Sequence, residues 1–289
     1  MNKTKVKKVV LLAAGFGTRF LPATKVQPKE MLPVVDKPVI QYLVEEAVES
    51  GVREVILITG KNKRAIEDHF DRSHDLEEFL KSRGKGALVE EVKKISNLAF
   101  FASVRQREPR GTADAVLEAR SLIGNEPFAV MSADDIIDAR PPALAQLISV
   151  YEKYHAPVVC LMRVPRREVN KYGVIEGKEV SPGVWKIMRA VEKPQGEIPS
   201  NLAIVVKYVL TPEFLPFLEK VKPQNGEMHI PPAIQEYVRQ GGDFYGYEVK
   251  GDWLDCGSKL GFLKATVQKG ITHPEIGKEF KKYLKSLSL

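Results

Sequence analysis

A glycine-rich, basic stretch near the N-terminus carries the residue types that bind phosphate. Gly15 and Gly17 follow an apolar run, and Arg19, Lys25 and Lys29 follow the glycines. Glycine allows backbone N–H groups to come close to an anion, and the planar guanidinium of arginine can bind two phosphate oxygens at once. The stretch therefore predicts a phosphate-binding loop, with a plain turn carrying solvated cations as the alternative.

This loop differs from the two best-known phosphate-binding motifs. The dinucleotide-binding pattern needs a third glycine where Phe20 stands, and a Walker A loop needs a Gly-Lys-Ser/Thr sequence that does not follow here. Both motifs are therefore excluded at this position. The stretch by itself leaves the identity of the anion open.

The elements around this loop alternate between strands and helices. Apolar runs predict strands, and apolar residues at intervals of three and four predict helices. We predict strands over 6–14, 54–59, 100–105 and 127–132, and helices over 38–50, 63–70, 111–121 and 141–153. Strands that alternate with helices indicate a parallel sheet with crossover helices.

The rest of the chain has a different pattern. We predict strands over 157–164, 173–177, 184–192, 202–210 and 244–249, and helices over 212–220, 231–239 and from 258 to the C-terminus. The prediction for the whole chain is an α/β fold in which a Rossmann-like mixed, mainly parallel central sheet is flanked by helices. Because the sequence has no repeat and no long linker, residues 1–289 are expected to form one domain.

The predicted sheet brings three polar stretches to one edge. Ligands of open α/β sheets bind beyond the carboxyl ends of the strands. The glycine loop, Gln106 with Gly111, and Asp134 with Asp135 each follow a predicted strand. Their shared position indicates one ligand site. Taken separately, Asp134 and Asp135 also fit a helix N-cap, and Asp255 fits a turn.

Composition and charge exclude several classes of protein. The 44 lysines and arginines contribute to a net charge of +7, but they are spread along the chain, so nucleic-acid binding is not expected. No apolar run reaches the ~20 residues of a transmembrane helix. The two cysteines, far apart, predict neither a disulfide framework nor a zinc site and fit a reducing cytoplasm. The five histidines lack the spacing of a catalytic triad.

The glycine loop belongs to a longer stretch that resembles the signature of the sugar-1-phosphate nucleotidylyltransferases, LAAGFGTRFLPATKVQPKEMLPVVDKPVIQY. Within that family it is most similar to the bacterial-type UTP–glucose-1-phosphate uridylyltransferases. The resemblance continues through NLAIVVKYVL and DCGSKLGFLKATVQKGI. It implies the nucleotide-diphospho-sugar transferase fold, with a nucleotide-binding half over 1–155, a sugar-phosphate-binding half over 156–255 and a C-terminal helical segment over 256–289.

The resemblance also implies roles for individual residues. The nucleotide would be bound by Ala13, Ala14, Gly15, Gly17, Gln106, Gly111 and Asp134. The sugar phosphate would be bound by Gly173, Glu192, Lys193 and Asn201. The catalytic residues would be Arg19, Lys29 and Lys193, whose charges neutralise the phosphates and the departing pyrophosphate.

The implied reaction uses a metal ion and no general base. Family members pair an aspartate after a central strand with one in a W-L-D-x-G stretch; here these are Asp134 and Asp255, which would share one Mg²⁺. The phosphate of glucose 1-phosphate, already an anion, would attack the α-phosphorus of UTP in line and release pyrophosphate. The resemblance further implies a cytoplasmic homodimer or homotetramer, with residues 274–287 as a contact element and no membrane or nucleic-acid partner.

Three places in the sequence depart from the family pattern. Ser132-Ala133 replaces Leu-Pro, Pro231-Pro232 replaces Thr-Asp, and Arg107–Arg110 also differs. The departures leave two alternatives open. One is the same chemistry with dTTP or another hexose 1-phosphate, and the other is a non-catalytic regulatory protein that binds nucleotide sugars. Tyr172 and Trp253 are interpreted as packing residues.

Overall fold

The computed structural model describes residues 5–287, and its centre is a nine-stranded sheet. The strands are β1 (Lys8–Leu12), β2 (Pro33–Val34), β3 (Lys37–Pro38), β4 (Glu54–Thr59), β5 (Phe100–Arg105), β6 (Phe128–Ser132), β7 (Asp135–Asp138), β8 (Val158–Arg163), β9 (Gly173–Ser181), β10 (Val184–Glu192), β11 (Leu202–Leu210), β12 (Tyr245–Glu248) and β13 (Asp252–Asp255). The order across the large sheet is β5-β4-β1-β6-β11-β8-β12-β10-β9. Strands β7 and β13 form a separate antiparallel pair, as do β2 and β3.

The two halves of the large sheet differ in strand direction. In the first half, β1 runs parallel to β4 and β6, and β4 runs parallel to β5. In the second half, β11 runs antiparallel to β6 and β8, and β10 runs antiparallel to β9 and β12, while β8 and β12 are parallel. The sheet is therefore mixed, as the sequence predicts, and its parallel strands are concentrated in the first half.

Helices cover both faces of the sheet. They are α1 (Val39–Glu49), α2 (Arg64–Phe70), α3 (His74–Ser82), α4 (Gly86–Ser96), α5 (Thr112–Glu118), α6 (Arg120–Ile123), α7 (Ala143–Tyr154), α8 (Leu215–Glu219), α9 (Ile230–Arg239), α10 (Lys259–Thr272) and α11 (Gly277–Ser286). The alternating side chains of β1 show the arrangement, because Val9 and Leu11 enter one core cluster and Val10 enters the other. Across residues 5–287, no helix combines the length and the apolar character that spanning a membrane requires.

Most of the predicted elements are present, with small shifts in their bounds. Strands β4, β5, β10 and β11 begin and end where the sequence predicts. The sequence does not predict α3, α4 or the β7–β13 pair. The predicted C-terminal helix is interrupted between Thr272 and Gly277, where Pro274 lacks the backbone N–H that a helix interior needs. Asp134 and Asp135 are not a helix N-cap, because Asp135 begins strand β7.

Candidate active site

The glycine loop leaves the sheet at the end of β1 and turns back toward Lys29. The backbone N–H of Ala13 still donates to the carbonyl of Ile58, at 2.9 Å. Gly17 has a φ of +67°, in the left-handed region that favours glycine, and the Thr24 hydroxyl donates to its carbonyl oxygen at 2.7 Å. A side chain at Gly17 would begin only 3.2 Å from the Cβ of Lys29. The turn therefore places Lys29 against the loop.

Two adjoining cavities lie where the glycine loop and the end of β6 meet. The first, the glycine-loop cavity, has a volume of about 200 Å³ and is lined by Ala14, Gly15, Lys29, Gln106 and Gly111. The second, the carboxylate cavity, has a volume of about 230 Å³ and is lined by Arg19, Asp134, Gly173, Glu192, Lys193 and Asp255. Thr112 and His229 line both cavities, so the two meet at these residues. Most of the predicted site residues are thus brought together.

Gln106 and Gly111 form one wall of the glycine-loop cavity. The buried Gln106 amide donates to the Gly111 carbonyl at 3.2 Å and to the Asp114 carboxylate at 2.8 Å. Gly111 has a φ of +97°, and a Cβ there would lie 2.6 Å from the carbonyl oxygen of Met228. Only glycine fits this position, because a side chain would be strained and would collide with backbone.

Asp134 lines the carboxylate cavity and forms an ion pair with Lys29, which lines the glycine-loop cavity. Its carboxylate accepts hydrogen bonds from the Lys29 ammonium and the Ser132 hydroxyl. Burial raises the pKa of Asp134, but attraction to Lys29 and the bonds from Lys29 and Ser132 outweigh burial and hold it below its ordinary value. Burial lowers the pKa of Lys29, but the charges of Asp134 and Glu30 raise it further than burial lowers it. Both groups are therefore charged at neutral pH.

A buried ion pair supports the segment that carries Lys29. The Glu30 carboxylate is fully buried and lies 2.7 Å from the Lys63 ammonium, beyond the end of β4. Burial raises the pKa of Glu30, while Lys63 and Lys29 oppose that rise. The pair ties the glycine-loop segment to the loop after β4, so it positions the neighbouring Lys29.

The β7–β13 pair brings the distant acidic residues together. Asp255 lies opposite Asp135 in this antiparallel pair, and the Trp253 indole N–H donates to the Asp135 carboxylate at 2.9 Å. Burial, together with the charges of Asp134 and Asp255, raises the pKa of Asp135 to about 7 against the effect of the Trp253 bond. Three carboxylates therefore share one small region beside Lys29.

Gly257 leaves a space between the two predicted metal ligands. A Cβ at Gly257 would lie 2.7 Å from an Asp134 carboxylate oxygen, 3.0 Å from an Asp255 carboxylate oxygen and 3.5 Å from the Arg19 guanidinium. The backbone N–H of Gly257 donates to Asp255 at 2.9 Å, and its carbonyl accepts from Arg19 at 3.2 Å. The two carboxylates thus converge on one point that the missing side chain leaves open.

This donor set fits Mg²⁺ bound together with a substrate. In the part of the chain from residue 5 to 287, no cluster of three or more His, Cys, Asp or Glu side chains has the geometry of a self-sufficient metal site. Mg²⁺ needs fewer protein ligands, because it binds through one or two carboxylates and fills its remaining positions with phosphate oxygens and water. Asp134 and Asp255 supply such a pair.

The far wall of the carboxylate cavity is formed by Gly173, Glu192 and Lys193. A Cβ at Gly173 would lie 2.9 Å from the Pro231 ring and 3.0 Å from a Glu192 carboxylate oxygen, so this position has no room for a side chain. The Lys193 ammonium lies 3.5 Å from Glu192. The Lys193 backbone has a positive φ of 42° and its N–H donates to the Tyr172 carbonyl at 3.0 Å. Glu192 and Lys193 therefore line the cavity side by side, with the Lys193 side chain about half exposed.

Three predicted residues lie outside the lining of these cavities: Asn201, Ala13 and Gly17. The Asn201 amide accepts from Arg163 at 3.3 Å and donates to the Val164 carbonyl at 3.5 Å. Ala13 is fully buried beneath the loop. Gly17 forms the turn beside the glycine-loop cavity, and the other predicted residues line one of the two cavities. The contacts of all these residues with substrates stay predictions.

Several site residues are missed by sequence reasoning. Trp253 does more than pack, since it holds Asp135 and contacts Tyr172 edge-on with ring centroids 5.1 Å apart. Ser132 binds Asp134, and His229 lines both cavities. The sequence does carry a signal for Ser132 and His229. It departs from the family pattern at Ser132-Ala133 and at Pro231-Pro232, and the family pattern places both stretches near the site.

Cys256 is not a nucleophile. Its side chain is 3% exposed, and burial together with the nearby aspartates raises the pKa of its thiol to about 12. The thiol therefore stays protonated and unreactive at neutral pH. Cys256 is therefore a small buried residue next to Asp255.

Comparison with known proteins assigns this architecture to one family. The nucleotidyl transferase family model matches residues 8–270. The chain is 45% identical over 287 residues to a UTP–glucose-1-phosphate uridylyltransferase of Staphylococcus epidermidis, covering 99% of each chain. It is also 45% identical over 285 residues to the Bacillus subtilis protein of the same name, covering 98% of this chain and 97% of that one.

Solved structures show the same similarity. A UDP-glucose pyrophosphorylase complexed with UDP-glucose is 44% identical, with a TM-score of 0.81 over 90% of this chain and 97% of that chain. A UTP-bound enzyme of the same type from Acinetobacter baumannii is 38% identical, with a TM-score of 0.91 over 98% of this chain and 100% of that chain. The similarity therefore includes the whole region that forms the two cavities.

Proposed function

The chain belongs to the nucleotidyl transferase family, and we propose that it transfers a uridylyl group from UTP to glucose 1-phosphate, giving UDP-glucose and pyrophosphate. The observation that carries this proposal is the convergence of Asp134 and Asp255 on the space at Gly257, next to Lys29 and Arg19. Two carboxylates and two cations around one point suit a transfer between phosphates.

The glycine-loop cavity takes the nucleotide. Gln106 and Gly111 present polar groups at one end, where the base lies, and the backbone of Gly15 leaves open space for the phosphates. Lys29 lines this cavity and Arg19 lines the next, so their charges flank the place where pyrophosphate forms. The first half of the chain, residues 1–155, thereby supplies most of the nucleotide contacts.

The carboxylate cavity takes the sugar phosphate. Glu192 accepts hydrogen bonds from sugar hydroxyls, and the absence of a side chain at Gly173 lets Glu192 and the Pro231 ring pack close to the backbone at the edge of this cavity. Lys193 neutralises the phosphate of the sugar. This arrangement gives residues 156–255 the larger share of the sugar contacts.

Catalysis follows from positioning and charge neutralisation. An oxygen of the sugar phosphate attacks the α-phosphorus of UTP and forms a new P–O bond. This bond forms in line with the bond between the α-phosphorus and the pyrophosphate oxygen, which breaks, and the pyrophosphate leaves with the electron pair. The nucleophile is already an anion, so no side chain has to remove a proton. Lys29, Arg19 and Lys193 stabilise the charge on the transferring and leaving groups. Mg²⁺ held by Asp134 and Asp255 would supply further positive charge at the phosphate oxygens.

We also propose a location and an oligomeric state for the enzyme. Both cysteines are free and buried, which is consistent with a reducing compartment, and we propose a cytoplasmic location. We also propose a homodimer or homotetramer in which α11 contributes to the contact. Helix α11 leaves Tyr283 more than half exposed, and this side chain is available for such a contact.

A pyrophosphate-release assay tests the function. Mg²⁺ is present throughout, and UTP, dTTP, CTP, ATP and GTP are each combined with glucose-, galactose- and mannose-1-phosphate. We expect the highest turnover with UTP and glucose 1-phosphate. Higher turnover with another pair would change the assigned nucleotide or sugar phosphate but not the type of reaction. Nucleotide binding without turnover anywhere in the grid would contradict the enzymatic proposal and favour the regulatory alternative.

A Gly257→Ala variant tests the space between the two carboxylates. Because the new methyl group would begin 2.7 Å from Asp134 and 3.0 Å from Asp255, we expect the Mg²⁺ concentration for half-maximal turnover to rise roughly 10–100-fold. The measurement is turnover against Mg²⁺ concentration at saturating substrates. Gly86→Ala is the matched control, since a Cβ at Gly86 meets no atom within 4 Å. An unchanged Mg²⁺ dependence in Gly257→Ala would contradict the metal assignment.

A further inference from the structure

His229 lies at the junction of the two cavities, and the proposed reaction does not use it. Its side chain is 15% exposed, and it lines both the glycine-loop cavity and the carboxylate cavity. Its Nδ1 lies 3.9 Å from a Glu192 carboxylate oxygen, and its Nε2 lies 3.5 Å from a Glu227 carboxylate oxygen. The distance to Glu192 is too long for a direct hydrogen bond. The imidazole therefore faces Glu192 across a gap.

The backbone on both sides of His229 is firmly anchored. The N–H of Met228 donates to the Arg110 carbonyl at 2.7 Å, and the Met228 carbonyl accepts from Ala113 at 2.9 Å. On the other side, Ile230 begins helix α9, and the ring of the next residue, Pro231, lies against Gly173. One anchor thus belongs to the nucleotide side and the other to the sugar side. The imidazole is preorganised at the junction, which is a requirement for a residue that sets substrate specificity.

The gap between His229 and Glu192 has the size of a bridging hydroxyl. A hydroxyl oxygen about 2.8 Å from each group spans a separation of 3.9 Å at an angle near 90°. An ionised carboxylate only accepts hydrogen bonds, whereas an imidazole nitrogen that carries its hydrogen donates one. A hydroxyl can donate to Glu192 and accept from His229 at the same time, so the pair matches an alcohol and not a second carboxylate or an ammonium.

We propose that His229 and Glu192 together clamp one hydroxyl of the hexose ring, which makes His229 a substrate-binding residue that contributes to sugar selection. This inference rests on the proposed function, because it assigns the ligand of the carboxylate cavity as a sugar phosphate. A clamp with one donor and one acceptor fixes both the position and the direction of the hydroxyl. An epimer that points this hydroxyl elsewhere loses both bonds, so the Nδ1 atom of His229 loses its partner and the Glu192 oxygen keeps only the Lys193 ammonium at 3.5 Å.

The test compares the KM for glucose 1-phosphate in three proteins. We expect His229→Ala to raise this KM about tenfold, because the variant loses one hydrogen bond to a hydroxyl that also binds the Glu192 carboxylate. The KM for UTP should stay within about twofold of the wild-type value. We expect His229→Asn to recover most of the affinity, because its amide N–H₂ takes the place of Nδ1–H. His74→Ala, at an exposed histidine of α3, is the matched control and should change neither KM.

Deoxy analogues of glucose 1-phosphate identify the clamped hydroxyl. For the analogue that lacks it, wild type and His229→Ala should have the same KM, because neither can form the clamp. If His229→Ala raises the KM for every analogue equally, or raises the KM for UTP as much as that for the sugar phosphate, the clamp is wrong. A thermal unfolding temperature close to that of the wild type excludes loss of folding as the cause of any change.

The same experiment separates this inference from the proposed function. Wild-type turnover with glucose 1-phosphate and UTP is measured first. If the wild type prefers another hexose 1-phosphate, the KM ratio of His229→Ala to wild type is measured with that hexose. Absence of turnover with every pair would overturn both proposals, whereas wild-type turnover with an unchanged sugar KM in His229→Ala would overturn the clamp alone.

Discussion

An Asp134→Asn variant is expected to lose turnover by roughly 10²–10³-fold while remaining folded. Asp134 is one of the two carboxylates that converge at Gly257, and it also binds the Lys29 ammonium. The amide keeps the size of the side chain and one oxygen, so packing is preserved. It removes the negative charge that pairs with Lys29 and that the proposed Mg²⁺ would need. The measurement is pyrophosphate release at saturating UTP and glucose 1-phosphate over a range of Mg²⁺ concentrations.

Asp252→Asn is the matched control for this prediction. Asp252 lies on the same strand as Asp255, but its carboxylate is exposed and accepts a hydrogen bond from Gln268 at 3.0 Å. The same chemical change at this position should leave turnover within about twofold, as for a typical surface substitution. If Asp134→Asn and Asp255→Asn each kept wild-type turnover and Mg²⁺ dependence, the two carboxylates would not hold the metal.

A Lys207→Met variant is expected to lose about 3–5 kcal/mol of stability. Lys207 lies in the middle of β11 with 1% of its side chain exposed, and its ammonium is 2.7 Å from the Glu46 carboxylate of α1. Glu46 also accepts from the Leu144 backbone N–H at 2.9 Å. Removing Lys207 alone leaves the Glu46 carboxylate buried without a cation. This uncompensated buried charge accounts for most of the expected loss of stability.

Thermal unfolding at one scan rate measures this loss. A change of 3–5 kcal/mol corresponds to a fall in Tm of roughly 6–20 °C for a chain of this size. The double variant Glu46→Gln with Lys207→Met should recover most of that fall, because the glutamine still accepts from Leu144 and no buried charge remains. Equal Tm values for Lys207→Met and the wild type would show that the pair contributes little. A double variant no better than Lys207→Met would show that lost packing, and not the unpaired charge, causes the fall.

The sequence alone determined the features that depend on neighbouring residues. Apolar runs of strand length predicted β1, β4 and β6, and their alternation with helices predicted the parallel part of the sheet. Gly15, Gly17 and Arg19 predicted an anion-binding loop, because glycine backbone and a guanidinium act locally. The family resemblance carried by this loop predicted that Asp134 and Asp255 form a pair, and the structure brings their carboxylates together.

Only the tertiary structure decided the features that depend on distant partners. The pairing of β7 with β13 places Asp135 opposite Asp255, and no local pattern predicts the pairing of two four-residue strands so far apart. The space at Gly257 and the gap between His229 and Glu192 arise in the same way, from segments that meet only in the folded chain. Side-chain periodicity determines which face of an element is buried, whereas the partner across that face is selected by packing of the whole chain.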